Sequence, residues 1–274
     1  MERLQTAIGK ARRARAGLAP IALATHALPR RRPATLPPGQ PGPGPLAPAT
    51  DPWDALAPYT PDPALLARNR VVTLAPGPLA APYDLLRTRI LQETARHGWR
   101  RIALVSPHDG AGRTTLAANL ALAFARQHDR RLLLLDLDFR SPGLARTLGI
   151  TPETSLADVL DGTVPFADHA RRLGKSLAIG LATGTLHLAA ERLQSTTTAD
   201  TIARLEAAYA PDITLVDLPS LDHADHAIAF LKTTDAAILV AEQDKTKTTQ
   251  IDDAERIVAN TTNVLGTVIT KARG

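Results

Sequence analysis

From Val71 onward the chain alternates short apolar runs with amphipathic stretches, and this pattern restricts its fold more than any other feature. Arg101–Ser106, Leu132–Asp138, Ser176–Ala182, Ile213–Asp217, Ala236–Ala241 and Val264–Thr270 read as strands. Between them Thr114–Gln127, Leu156–Leu160, Ala199–Ala208, His223–Leu231 and Ile251–Val258 read as helices, and Tyr83, Leu86, Ile90 and Leu91 repeat at helical spacing ahead of the first strand. Strands that are apolar throughout need cover on both faces, so an α/β fold is expected, with a mostly parallel sheet and helices on both sides. Right-handed crossovers then bring ligands to the carboxyl ends of the strands.

Composition separates this body from what precedes it. Sixteen of the 22 prolines lie at or before Pro82, and residues 1–70 hold ten Lys/Arg against four Asp/Glu. The overall net charge of +5 therefore describes the N-terminal part, and the nearly neutral remainder does not suggest binding to nucleic acid. The expected division is a disordered, basic Pro/Ala/Gly-rich extension over 1–70 and a folded domain over 71–274, because proline removes backbone donors and fixes φ. Residues 1–17, with Leu4 and Ile8 among five basic side chains, read either as a short basic helix on an anionic surface or as a solvated terminus. An Arg-rich transit peptide is a third reading. The chain has no cysteine, which excludes disulfides, thiolate catalysis and Cys-bound zinc or iron–sulfur clusters. No apolar run reaches the ~18–20 residues of a membrane span, and a soluble intracellular chain is expected.

The segment Arg101-Ile102-Ala103-Leu104-Val105-Ser106-Pro107-His108-Asp109-Gly110-Ala111-Gly112-Arg113-Thr114-Thr115 carries the chemistry. A strand ends in a glycine-bearing loop that opens into a helix, with Leu116, Leu120 and Phe124 on one helical face. Gly110 and Gly112 let consecutive N–H groups point at one anion, and the helix N-terminus adds partial positive charge. Thr114, the first hydroxyl after the basic residue, is placed to coordinate Mg²⁺. Two further apolar strands each deliver a carboxylate at the same sheet end, Asp136 and Asp138 after Leu132–Leu135 and Asp217 after Ile213–Val216. Carboxylates beside a phosphate cradle need a bridging cation, the arrangement of a nucleoside triphosphate site.

The chain from about Ala80 to Lys271 resembles the cytoplasmic catalytic domain of bacterial protein-tyrosine kinases (BY-kinases), within the ParA/MinD-like P-loop NTPase class. Leu86-Arg87-Thr88 precedes the loop, Gly110–Thr115 matches Walker A, and Asp136-Leu137-Asp138-Phe139-Arg140 matches the Walker A′ motif. Leu156-Ala157-Asp158-Val159-Leu160-Asp161-Gly162 resembles a further family segment, and Val216-Asp217-Leu218-Pro219 fits Walker B. The resemblance implies a P-loop NTPase-like fold with ATP and Mg²⁺ as cofactors. Gly110, Ala111, Gly112, Arg113, Thr114 and Thr115 would hold the nucleotide, and Thr114, Asp136 and Asp217 the metal. Arg113, Asp136 and Asp138 would be catalytic, Asp138 activating a tyrosine hydroxyl or orienting the metal. It further implies control of exopolysaccharide or capsule polymerisation or export and a transmembrane polysaccharide chain-length regulator as partner. Self-association and a cytoplasmic, membrane-peripheral location follow, with membrane contact indirect or through the basic N-terminus.

Several positions depart from the family pattern. Arg113 stands where the family has lysine, which leaves a catalytically weak ATP-dependent switch as an alternative to a kinase. A MinD/ParA-like positioning ATPase is the other alternative, although His108 occupies the place of that branch's signature lysine. The family's C-terminal tyrosine cluster is absent. The tyrosines are Tyr59, Tyr83 and Tyr209, with Tyr59 the accessible candidate acceptor beside Asp54 and Asp62. The family's Glu-x₂-Arg-x₂-Arg oligomerisation motif reads Ala81, Asp84, Arg87, and Thr270 and Lys271 stand where an adenine-contacting Asn is common. His223 and His226, with Asp222 and Asp225, read as helix capping rather than a metal site, and Lys245 and Lys247 as a loop near the nucleotide.

Overall fold

The continuous apolar runs become adjacent buried strands. The computed structural model describes residues 51–272, without the side chains of residues 223 and 224; the expectations for residues 1–50 lie outside the described residues. Among the described residues the strands are β1 (Ala57–Pro58), β2 (Arg101–Val105), β3 (Leu132–Asp136), β4 (Arg171–Leu173), β5 (Leu177–Gly180), β6 (Ile213–Asp217), β7 (Ala236–Glu242) and β8 (Asn263–Thr270). They form one sheet in the order β1-β4-β5-β3-β6-β2-β7-β8, parallel throughout except for the β4–β5 pair. The helices are α1 (Pro63–Arg68), α2 (Ala81–His97), α3 (Arg113–Ala125), α4 (Leu144–Leu148) and α5 (Leu156–Leu160). They continue with α6 (Phe166–His169), α7 (Ala189–Gln194), α8 (Thr196–Tyr209), α9 (Ala224–Leu231) and α10 (Thr248–Ala259).

Successive strand residues face opposite sides of the sheet, and the core divides accordingly. Leu133, Leu135, Ala103 and Val105 join Leu156 and Leu160 of α5, Ile202 and Leu205 of α8 and Phe230 of α9 in one apolar layer. Leu132, Leu134, Ile102 and Leu104 join Ile90 of α2 and Leu116, Leu120 and Phe124 of α3 in the other. Aliphatic side chains fill most of both layers, as the 3% aromatic content requires. Register brings the chemistry together at one sheet end. Asp136, the last residue of β3, pairs directly with Asp217, the last of β6, and Leu104 of β2 lies beside Asp217 on the other side. β3 ends at Asp136 rather than at Asp138, because residues 137–139 leave the sheet after Leu137 N–H bonds to Asp217 O (2.9 Å).

Residues 51–70, expected to belong to the disordered extension, are folded: a 3₁₀ turn, β1 and α1 lie within them. Asp51 caps a short 3₁₀ turn over Pro52–Ala55, and Trp53 on that turn is fully buried. Its indole N–H donates to Tyr209 O (2.7 Å), its ring meets Tyr209 edge-on, and the Arg131 guanidinium lies 5.1 Å from its ring centre. β1 then pairs with β4, with Pro58 tolerated because β1 is an edge strand. Tyr59 is not an accessible linker residue. It is buried, its hydroxyl donates to Leu148 O (2.6 Å), and burial together with nearby Asp62 pushes its pKa up to about 12. No helix among the described residues is long and apolar enough to cross a membrane.

Two outcomes follow from this packing. Trp53→Ala should cost about 3–5 kcal/mol, a large-to-small core loss, read as a lower urea midpoint. An unchanged midpoint would show that residues 51–59 are not anchored. His169 is buried, accepts from Leu181 N–H at Nε2 (3.0 Å) and meets Thr154 Oγ1 at Nδ1 (2.9 Å), which requires the neutral ring. Burial first, and Arg171 second, push its pKa down to about 4. The unfolded chain then binds more protons between about pH 6.5 and 4, so this group's contribution is present above 6.5 and lost as pH falls through that window. Urea midpoints at pH 7 and pH 5 should differ less in His169→Gln than in the wild type.

Candidate nucleotide-binding site

The loop between β2 and α3 has the backbone its glycines permit. Gly110 and Gly112 adopt φ of +78° and +94°, in the left-handed region where a side chain is strained. Gly112 is the N-cap of α3 and offers no side-chain acceptor, so the first-turn N–H groups remain available to an anion. The loop is held from the far side of the sheet. Thr270 Oγ1, at the end of β8, donates to Ala111 O (2.5 Å), and Lys271 Nζ donates to Gly110 O (2.9 Å). Lys271 also pairs with Glu242 (2.9 Å), which Lys245 approaches at 3.4 Å. His108 turns to Thr246, with Nε2 2.8 Å from its hydroxyl.

The three aspartates expected at this sheet end are brought together with the loop. Thr114 Oγ1 donates to Asp217 Oδ2 (2.6 Å). Arg113, the lysine substitute, is buried and spends its donors on the protein. Nη2 reaches Asp138 Oδ2 (2.8 Å), Nε reaches Asp217 Oδ1 (3.3 Å), and Nη1 donates to Ser106 Oγ (2.5 Å). Ser106 in turn donates to His108 O (2.8 Å). Asp138 also accepts from Ser141 N–H (2.9 Å), and Asp136 accepts from the N–H groups of Asp138 and Leu144 (both 3.2 Å).

Burial dominates the electrostatics here. It pushes the Asp217 pKa up to about 6 even though Arg113 and Thr114 favour the carboxylate, with Asp138 adding to the rise. Asp136 is raised well above the usual carboxylate range by burial first, then by Asp217 and Asp138, against its two backbone donors. One guanidinium, bonded to Asp138 and Asp217 but not to Asp136, thus stands among three buried carboxyl groups, and the site is short of positive charge.

That shortage suits a divalent cation. The set of Thr114 hydroxyl, Asp136 and Asp217 contains only hard oxygen donors, which Mg²⁺ prefers. Among the described residues no three His, Cys, Asp or Glu side chains are gathered as a metal cage. Mg²⁺ does not need one, because one or two carboxylates with phosphates and waters complete its shell. A cleft of about 440 Å³ opens over Gly110–Thr115 and is bordered by Arg70, Asp138, Arg146 and Lys271. Its size and its basic border fit a nucleoside phosphate.

The expected residues Gly110–Thr115 and Asp138 line this cleft, with Asp136 and Asp217 buried beneath it. Sequence reasoning missed Ser106, Glu242, Arg70, Arg146 and the bonds of Thr270 and Lys271 to the loop. Only Ser106, directly after the strand, carried a local signal. His226 lies 3.8 Å from Asp225, the side chain of His223 falls outside the description, and Lys247 is the N-cap residue that precedes α10.

A family model described as the CobQ/CobB/MinD/ParA nucleotide binding domain matches residues 102–274. The succinoglycan biosynthesis transport protein ExoP of Rhizobium meliloti is 30% identical over 180 residues, 63% of this chain but only 22% of ExoP. The tyrosine-protein kinase YwqD of Bacillus subtilis is 25% identical over 195 residues, 71% of this chain and 81% of YwqD. The kinase domain of the Escherichia coli tyrosine kinase ETK shares the fold with a TM-score of 0.62 at 19% identity, covering 72% of this chain and 78% of that one. The strand–loop–helix cradle, the paired strand-end aspartates and these likenesses agree: the chain belongs to the CobQ/CobB/MinD/ParA nucleotide-binding domain family, and its fold is that of the BY-kinase kinase domains.

Proposed function

We propose that the chain binds ATP with magnesium at the β2–α3 loop and regulates exopolysaccharide or capsule polymerisation or export in the manner of a BY-kinase. The observation that carries this reading is the convergence of uncapped α3 N–H groups, the Thr114 hydroxyl and the Asp136–Asp217 pair at one sheet end. ExoP, a biosynthesis transport protein, and YwqD, a tyrosine kinase, support it by likeness. Gly110–Thr115 hold the phosphates through their N–H groups, and Thr114, Asp136 and Asp217 hold the metal, which supplies countercharge to phosphates and carboxylates alike. Asp138 accepts the proton of an incoming tyrosine hydroxyl on another protein. A transmembrane chain-length regulator at the inner face of the cytoplasmic membrane is the partner of such a chain.

The Arg113 geometry favours a second reading, an ATP-dependent switch. Lysine presents a compact charge on a flexible stem, whereas this guanidinium is a planar fork already bonded to Asp138, Asp217 and Ser106. Moving it towards a phosphate would break three buried bonds.

Calorimetry should detect MgATP binding to the wild-type protein, and its absence would end both readings. Kinase function expects ATP-dependent tyrosine phosphorylation of a partner, lost in Asp138→Asn. The switch expects binding without turnover, with hydrolysis appearing in Arg113→Lys. Asp136→Asn removes a buried carboxyl group whose ionised form is disfavoured by burial and by Asp217 and Asp138 and has no cationic partner of its own. It should raise the melting temperature of the ligand-free protein while weakening MgATP binding about tenfold or more. A lower melting temperature would show that this carboxylate stabilises the fold.

A further inference from the structure

Four basic side chains border the cleft over Gly110–Thr115: Arg70, Arg113, Arg146 and Lys271. Arg113 is committed to Asp138 and Asp217, and Lys271 to Glu242 and Gly110 O. Among the described residues the guanidinium groups of Arg70 and Arg146 have neither hydrogen bond nor ion pair. These two exposed cations therefore border a phosphate-sized cleft whose own loop cation is turned inward.

Their backbones are held there deliberately. Arg70 has φ of +60°, a left-handed conformation that is costly for a residue with a side chain. Asn119, on the second turn of α3, fixes it. Its Nδ2 donates to Thr115 O (2.9 Å) and to Arg70 O (3.0 Å), and its Oδ1 accepts from Val72 N–H (2.8 Å). Arg70 is thus tied through one side chain to the first turn of the helix that opens the cradle. Arg146, on α4, is tied to the same segment, since Asn69 Nδ2 donates to the carbonyls of Arg146 (3.1 Å) and Thr147 (3.0 Å). Strain retained at a site border, where a glycine would relieve it, points to a use for the side chain.

We infer that Arg70 and Arg146 are the residues that select the terminal phosphate of the nucleotide, supplying the charge that Arg113 does not. This rests on the proposed nucleotide site and assigns its specificity. Guanidinium groups suit the task, because they bind phosphate oxygens through paired N–H groups and keep their charge at every physiological pH. The N–H groups of the loop hold the phosphates common to ATP and ADP, and the two arginines distinguish the third.

The test is calorimetric titration of the full chain with MgATP and with MgADP, for the wild type, Arg70→Gly, Arg146→Gln and the double variant. Glycine at 70 removes the side chain and accepts the positive φ, so its melting temperature should be no lower than that of the wild type. The double variant should bind MgATP about tenfold or more weakly, with MgADP affinity changed less than about twofold. Unchanged MgATP affinity overturns the assignment, as does an equal loss for both nucleotides, which would mark a general effect on the cleft. A wild-type protein that binds both nucleotides without preference also overturns it while leaving the nucleotide site intact. A wild type that binds neither overturns the site and the assignment together.

Discussion

Three carboxylates and one guanidinium share a pocket at the end of the sheet where each is almost wholly withdrawn from water. Parallel pairing of β3 with β6 sets Asp136 against Asp217, and neither strand can slip by one residue without turning its leucines out of both core layers. The carboxylates are consequently a product of the fold and cannot separate to relieve their repulsion. Arg113 offsets part of that repulsion by bridging Asp138 and Asp217. A buried ion pair of this kind adds little net stability, but losing one partner leaves an uncompensated charge. The same deficit of positive charge makes the site suitable for a divalent cation.

The loop above this cluster is braced from elements remote in sequence. Thr270 and Lys271 hold its carbonyls from the end of β8, and Asn119 ties the first turn of α3 to the segment around Arg70. A cradle built from N–H groups requires this, since its donors must be oriented before the anion arrives. The segment over residues 51–73 is therefore part of the site's architecture. Trp53 anchors it beneath α8, Leu66 buries beside α4, and Arg70 reaches the cleft.

The pre-loop helix α2 shows how a family motif can change meaning when its neighbours change. Arg87, the surviving member of the oligomerisation motif, is turned inward. Its Nη1 donates to Ala123 O (2.6 Å) near the end of α3 and to Asp84 (3.1 Å), and Arg126 pairs with the same aspartate. An arginine engaged with a helix C-terminus and an intrachain carboxylate braces α2 against α3. It offers little to a neighbouring subunit.

Local signals made much of this protein legible. The β2–loop–α3 unit, α5 and the aspartates ending β3 and β6 each depend on neighbours within a few residues, where hydrophobic period and glycine position suffice. Residues 51–70 escaped because their proline content outweighed one Trp, whose partners Tyr209 and Arg131 are far along the chain. β4 escaped because Arg171-Arg172-Leu173 has no apolar run and exists as a strand only through its partners β1 and β5. By itself the sequence determined the doubly covered sheet, the phosphate-loop backbone and which carboxylates reach its end. Only the tertiary structure decided where the long side chains point. Arg113 turns to the aspartates, Tyr59 is buried, and Arg70 is brought to the cleft, because flexible side chains follow charge and burial supplied by segments that no local pattern encodes.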